Sequence, residues 1–403
     1  MRRFLVAALA GLALVPAASA APPNADVRFS TFNASLNRFF EGQLATDLST
    51  PNNQQARNVA ETIQRYRPDV LLINEFDYWA TDPQRPVDLF RDNYLEVSQN
   101  GAAPIEYPYS FIAASNTGIH SGFDLNNNGA IVSTPLAPGY GDDAFGFGEF
   151  PGKFAMVVYS KYPIVVANVR TFQLFKWKDM PGNLIPTPFY SPEEVAILRL
   201  SSKSHWDVPI EIGEKTVHFL VSHPTPPVFD GPEDRNGRRN NDEIRFWADY
   251  VTPGASQYIY DDEGGRGGLP PGARFVIAGD LNADPVDGDS VPGAAQQVLE
   301  LPRVDTSVTP ESEGAVEASE RQGGANLDHQ GDPQFDTADF ADTDPGNLRV
   351  DYVLPSRPLR IVDAGVFWPR SEDPLFRLVG DFPFPSSDHR LAWIEVAVPS
   401  GRR

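Results

Sequence analysis

Six times along this 403-residue chain, a short apolar run ends at or lies beside a polar side chain able to handle protons, metals or phosphates. Val27-Arg28-Phe29-Ser30-Thr31-Phe32 ends at Asn33, and Val70-Leu71-Leu72-Ile73 runs into Asn74-Glu75. Val217 to Ser222 ends at His223-Pro224, and Phe275 to Ala278 runs into Gly279-Asp280. Val350 to Leu354 surrounds Asp351, and Asp388-His389 lead into Leu391 to Val396. Short apolar runs bounded by Gly, Pro, Asn or Asp read as buried strands. A further strand is expected over Ala155 to Ser160. Between the strands, Ala56, Val59, Ala60, Ile63 and Tyr66 fall at helical spacing within 54–67, and Pro68 closes that helix. Ile244, Trp247, Ala248 and Val251 mark a second helix. Buried strands separated by helices predict stacked layers of sheet and helix. Long Gly-, Pro-, Asn- and Asp-rich connections are expected over 80–154, 171–195, 252–272 and 305–348. The Glu- and Ser-rich stretch 305–324 is expected to be mobile.

Composition narrows the setting. Arg2 and Arg3, an apolar run from Phe4 to Val15 and the small residues Ala18-Ser19-Ala20 have the layout of a secretory leader over 1–20, with cleavage after Ala20. The run is short for a membrane span, and no later segment approaches one. A single domain is expected over 21–403, because no linker or repeat divides it, and a secreted or periplasmic location follows from the leader. The chain has no Cys, which excludes thiol chemistry, disulfides and Cys-ligated metal. Its net charge of −21 repels polyphosphates, so long nucleic acid is a disfavoured partner. A small phosphorylated substrate, or one escorted by a cation, suffers less from that field.

The polar groups at the strand ends form a chemical set. Asp280 and Asn282 stand one residue apart in FVIAGDLNADP, and Asp388 and His389 are adjacent in SSDHRLAW. Carboxylate, amide and imidazole at the ends of buried strands are what a metal-assisted attack of water on a phosphate ester requires. Each alone is weak: Asp-x-Asn is commonly a turn, and a lone Glu after a strand is commonly solvated.

Taken in order, the strings FSTFNAS, PDVLLINEFD, MVVYSKYPI, HFLVSHPTPP, FVIAGDLNADP, RVDYVLPS and SSDHRLAWIEV resemble the endonuclease/exonuclease/phosphatase superfamily. That group contains the DNase I-like nucleases, abasic-site endonucleases, inositol polyphosphate 5-phosphatases and bacterial sphingomyelinases. The resemblance implies an α+β fold, a four-layer α/β/β/α sandwich of two packed mixed sheets with the site at one end. It implies Glu75, helped by Asn33, as the main ligand set for Mg²⁺ or Mn²⁺, with Asp388 adding a carboxylate to that site or to a second one. It implies Asp280 as the group that orients and deprotonates the attacking water, and Asn282 as a holder of water and phosphoryl oxygen. His389 would lie against the phosphate with Asp351 fixing its tautomer, and His223 would contact the phosphate or assist the leaving group. Abasic-site endonucleases lack a histidine at the His223 position. The expected activity is therefore that of a secreted metal-dependent phosphoesterase in which water attacks phosphorus in line. DNase-like and sphingomyelinase-like phosphodiesterases are the alternatives within it. The rival from another class is a binding module that keeps the fold without the chemistry, and the filled positions argue against it.

Two further stretches carry two readings each. Arg235, Arg238 and Arg239 make a basic island in an acidic chain, before a helix start read as Asn240 with Glu243. They are either a substrate clamp, since guanidinium forks suit phosphate oxygens, or surface arginines paired with Glu233, Asp234 and Asp242. Asp124, Asn126 and Asn128, followed by Gly129, have the opening spacing of a Ca²⁺ loop. Pro135 stands where the closing Glu belongs, so either another carboxylate completes a structural Ca²⁺ shell or the segment is a Gly/Asn-rich turn.

Overall fold

The computed structural model describes residues 25–399, and the expected leader lies outside them. Thirteen strands appear in this span: β1 (Ala25–Asn33), β2 (Val70–Asn74), β3 (Tyr109–Phe111), β4 (Met156–Ser160), β5 (Arg170–Thr171), β6 (His205–Ile212), β7 (Lys215–Ser222), β8 (Arg274–Asp280), β9 (Ala338–Asp339), β10 (Asn347–Leu348), β11 (Asp351–Pro355), β12 (Arg360–Val366) and β13 (Ala392–Val398). They form a six-stranded sheet in the order β12-β13-β1-β2-β4-β3, a five-stranded sheet in the order β11-β8-β7-β6-β5, and the small pair β10-β9. β1 runs parallel to β2, and β7 parallel to β8, while the other pairings are antiparallel. Both large sheets are therefore mixed.

Three apolar clusters show how the layers stack. Phe29, Val70, Leu72 and Val158 of the first sheet face Val208, Phe219, Val276 and Val353 of the second. Phe29 and Phe219 meet at 5.5 Å between ring centroids, and Phe111 meets Trp206 edge-on at 5.1 Å. On the outer side of the first sheet, Leu71 and Ile73 pack with Ala56, Val59, Ala60 and Ile63 of the helix Gln54–Tyr66. On the outer side of the second, Leu220 and Ile277 pack with Ile244, Trp247 and Val251 of the helix Arg235–Val251. Each large apolar side chain so buried contributes roughly 1.5–3 kcal/mol. The result is the four-layer α/β/β/α sandwich that the sequence predicts.

Local chemistry sets the element ends. The helix Gln54–Tyr66 begins where the Asn53 side chain accepts the Ala56 N–H, and it stops at Arg67, which takes a left-handed conformation before Pro68. Two expectations are corrected. The helix on the outer side of the second sheet starts at Arg235, behind a left-handed Asp234, and Asn240 is an interior residue rather than its cap. The stretch 305–324 contains a ten-residue helix, Glu313–Gln322, capped by Ser312 and packed through Ala315 and Ala318. Its Gly314 lies so close to the Trp368 carbonyl that a Cβ there would sit 2.0 Å from the oxygen.

Candidate active site

The strand ends bring the polar groups together. In the first sheet Asn33 is in register with Asn74, so Glu75 emerges beside it. In the second, Asp280 is in register with Asp351. β8 can reach this position beside β7 because residue 279 is glycine: a Cβ there would lie 2.0 Å from the Ser222 carbonyl oxygen. Glu75 (φ 59°) and Asn282 (φ 51°) both sit on left-handed backbone just past their strands. Non-glycine residues hold that conformation at a cost of order 1–3 kcal/mol, and it turns both side chains out of the pleat.

Asp280 is the hub. Its Oδ2 accepts Asn33 Nδ2 at 3.0 Å and lies 3.3 Å from His223 Nε2 and 3.6 Å from His389 Nε2. Its Oδ1 accepts the Asn282 N–H at 2.9 Å. Burial pushes the Asp280 carboxyl up, but the His389 charge and the His223 and Asn33 hydrogen bonds outweigh it and hold it well below the usual carboxylate range. His389 Nδ1 pairs with Asp351 Oδ2 at 2.8 Å. Burial opposes charge on this imidazole, yet Asp351, Asp280 and Asp388 raise it well above its ordinary value. Burial raises Asp351 to about 6 against the pull of His389. His223 goes the other way: burial and then the Lys203 charge push it down to about 4, and its buried Nδ1 has no partner. The two histidines flanking one carboxylate are thus pushed in opposite directions, His389 up by its acidic neighbours and His223 down by burial.

Glu75 completes the site on the open side. Its Oε1 accepts Asn33 Nδ2 at 3.2 Å, and its Oε2 accepts Asn37 Nδ2 at 2.8 Å. Burial and the Asp388 carboxylate both raise it. Asp388 Oδ1 lies 3.5 Å from Ser35 Oγ and 3.4 Å from Ser387 Oγ. One ligand atom each from Asp280, Asp351 and His389 lies within 4.8 Å of the others, close enough to hold a cation. The His389–Asp351 hydrogen bond already occupies part of that group, whereas Glu75 and Asp388 are only partly buried.

No hydrogen bond or ion pair among the described residues joins the other candidates to this group. Arg235 is paired with Glu233. Arg239 gives its N–H groups to the Leu200, Phe145 and Arg199 carbonyls at 2.6 to 2.9 Å. Arg238 shares the same helix turn, and its buried Nε has no partner. Asp124, Asn126 and Asn128 accept backbone N–H groups of Asn128, Gly129 and Ala130, the pattern of successive Asx turns in an exposed loop.

Several participants were not legible in the sequence. Asn37 steadies Glu75, and Asn74 Oδ1 accepts the Asp280 N–H at 3.3 Å. Phe340 lies edge-on to His389 at 5.4 Å, and Thr337 Oγ1 accepts the Asp351 N–H. Asn240 ties Thr225 and Leu281 together through their carbonyls, each at 2.8 Å. Lys203 is buried against the same loops. Of these, Asn74 and Asn37 carried a signal, since both neighbour a strand end that was already singled out.

Comparison with known proteins places the chain in a family. A family model described as "Endonuclease/Exonuclease/phosphatase family" matches residues 30–389. Among solved structures, an endonuclease/exonuclease/phosphatase from Beutenbergia cavernae DSM 12333 superposes with a TM-score of 0.50 at 16% identity, covering 93% of this chain and 72% of that one. A family protein from Leptotrichia buccalis C-1013-b gives 0.46 at 13% identity, over 92% and 100%. Sphingomyelinase C from Streptomyces griseocarneus gives 0.45 at 12%, over 93% and 100%. No curated protein matches the sequence significantly. The family match spans every strand end that builds the site, and the chain belongs to the endonuclease/exonuclease/phosphatase family.

Proposed function

We propose that this protein is a secreted phosphoesterase, one domain over 21–403 behind a leader, that uses a divalent cation to direct water onto a phosphate ester. The observation that carries the reading is the Asp280 carboxylate 3.0 Å from Asn33 Nδ2, 3.3 Å from His223 Nε2 and 3.6 Å from His389 Nε2, with Asp351 behind His389 and Asn33 bridging to Glu75. The cation fits the donor set: burial and Asp388 leave Glu75 short of positive charge, and hard oxygen donors with solvent access suit Mg²⁺ or Mn²⁺. Glu75, Asn33 and Asp388 would hold it. When bound, it supplies charge to the phosphate and lowers the proton affinity of water.

The chain's own groups do the rest. Asp280 accepts a hydrogen bond from the attacking water and aims it. His389, fixed by Asp351, presents a charged Nε2–H to a phosphoryl oxygen as negative charge builds there. His223 donates to Asp280 and steadies the angle of that carboxylate. Asn282 sits within reach of the same oxygens. The net charge of −21 favours a small substrate over a nucleic acid strand. No helix among the described residues is long and apolar enough to cross a membrane. Hydrolysis of bis-p-nitrophenyl phosphate and p-nitrophenyl phosphate with Mg²⁺ or Mn²⁺, each against EDTA, tests the reading and separates diesterase from monoesterase. Activity on neither ester with either metal would defeat it.

A further inference from the structure

Lys203 sits in the turn before β6, only 6% exposed, and no step above employs it. Its one hydrogen-bond partner is the Pro224 carbonyl, at a long 3.5 Å. An ammonium carries three donors, so most of its bonding capacity is unspent in a place that water barely reaches. Burial lowers its affinity for a proton, while Glu243, Asp280 and Glu75 act in that order to keep it charged. None of these carboxylates is spent on Lys203. Glu243 accepts the Ser202 and Thr225 N–H groups, both at 2.7 Å, and Ser202 Oγ at 3.1 Å, with no bond to Lys203. Asp280 is committed to Asn33 and the histidines.

The Pro224 carbonyl is also where Asn282 Nδ2 points, at 3.1 Å. Two donors, one charged and one neutral, therefore converge on a single oxygen beside His223 and Asp280. A carbonyl is a modest acceptor for an ammonium, and an anionic phosphoryl oxygen is a much stronger one.

We propose that Lys203 is a substrate contact, its ammonium binding a non-bridging oxygen of the scissile phosphate alongside Asn282. The inference rests on the phosphoesterase reading and deepens it. Lys203 makes and breaks no covalent bond: water oxygen joins phosphorus, the ester oxygen leaves, and the lysine keeps its proton while balancing the added negative charge. The resulting site opposes His389 and Lys203 across the phosphate, which gives a protein of net charge −21 a local anion hole without a basic surface.

The test compares wild type with Lys203→Met and Lys203→Arg on bis-p-nitrophenyl phosphate or p-nitrophenyl phosphate, whichever the wild type hydrolyses. Inorganic phosphate serves as competitive inhibitor, and Mg²⁺ affinity is measured by calorimetry. Lys203→Met should melt no lower than wild type, since it removes a buried, poorly bonded charge. Its kcat/KM should fall roughly a hundredfold or more, and phosphate should inhibit it at least tenfold more weakly. Its Mg²⁺ affinity should hold or tighten, because a cation near Glu75 has gone. Lys203→Arg should recover part of both losses. A purely structural lysine would leave phosphate inhibition unchanged, and a kcat/KM and inhibition constant within threefold of wild type in Lys203→Met would overturn the proposal. If that variant does not fold, wild type decides: saturating phosphate with Mg²⁺ should shift the ζ-ammonium resonance that Lys203→Arg lacks, and an unmoved resonance refutes the contact. A wild type inactive on both esters would instead bring down the reading on which the proposal stands.

Discussion

Two groups of four carboxylates, touching in sequence only where Asp284 follows Asp280 by four residues, are built on opposite plans. Around Asp280, the acids Glu75, Asp351 and Asp388 are interleaved with His223, His389, Asn33 and Lys203. Around Asp336, the acids Asp284, Asp287 and Asp332 have no such company. Asp284 caps its own loop, accepting the Val286, Asp287 and Arg349 N–H groups at 2.7 to 2.8 Å, and Asp287 accepts those of Gln330 and Gly331. Asp336 is 7% exposed, and while its N–H donates to the Pro333 carbonyl, no donor among the described residues reaches its carboxyl. Burial, and then its three acidic neighbours, push it up to about 8. Asp280 is held ionised and Asp336 protonated, although both are buried among acids. Acid count does not decide which carboxylate can serve as a base or orient water. The donors interleaved with it do.

Substitution at the hub tests that contrast most severely. Asp280→Asn keeps the shape and removes the charge, and turnover should fall about a thousandfold with the far-ultraviolet spectrum unchanged. Residual turnover within tenfold of wild type would mean that Asp280 is no more than another loop carboxylate. Next in size, His389→Ala should cost roughly a hundredfold or more in kcat at saturating metal. Glu75→Gln should be comparably impaired, and added Mg²⁺ should restore less of its activity than it restores to EDTA-treated wild type.

The acidic group answers to pH instead. With its folded value near 8 and an ordinary value of 3.8, Asp336 binds a proton in the folded state that the unfolded chain releases first. Stability therefore declines as pH rises from about 4 to about 8. Asp336→Asn should melt about 2–4 °C above wild type at pH 8.5 and show little advantage at pH 4, with catalysis untouched. An equal advantage at both pH values would show that Asp336 is not held protonated. The smallest effect belongs to the arginine island. Arg239 is spent on three carbonyls, so Arg238→Gln alone should raise KM for an anionic ester about twofold to threefold, and less in high salt. An unchanged KM at both ionic strengths would leave Arg238 as a surface charge.

What could be read from the sequence follows a physical line. Asn33, Glu75, Asp280 and His389 stood out because each interrupts or ends an apolar run, and a buried strand leaves that trace even in one sequence. β6 left a weaker one, because Pro209 splits its pattern and His205 and Asp207 sit where apolar residues would mark a strand. Lys203 stands just before that unread strand, among Ser201, Ser202 and Ser204, with nothing to distinguish it from a surface lysine. The helix Glu313–Gln322 was hidden by its composition: it docks through Gly314 and two alanines, whose close approach needs little apolar bulk. Asn240 has the right residue type for a cap, but the left-handed Asp234 starts the helix earlier and leaves Asn240 facing inward.

The 3.0 Å bond from Asn33 to Asp280 joins the end of one sheet to the end of the other. The filling between those two strands, including the meeting of Phe29 with Phe219, acts as a spacer that sets the width of the candidate site. Small changes in the bulk of that filling, far from any reacting atom, would therefore register first as altered turnover and only later as lost stability. The interior between the sheets is in this sense a tuning element of the candidate site, open to gradual adjustment by substitutions that never touch the cleft.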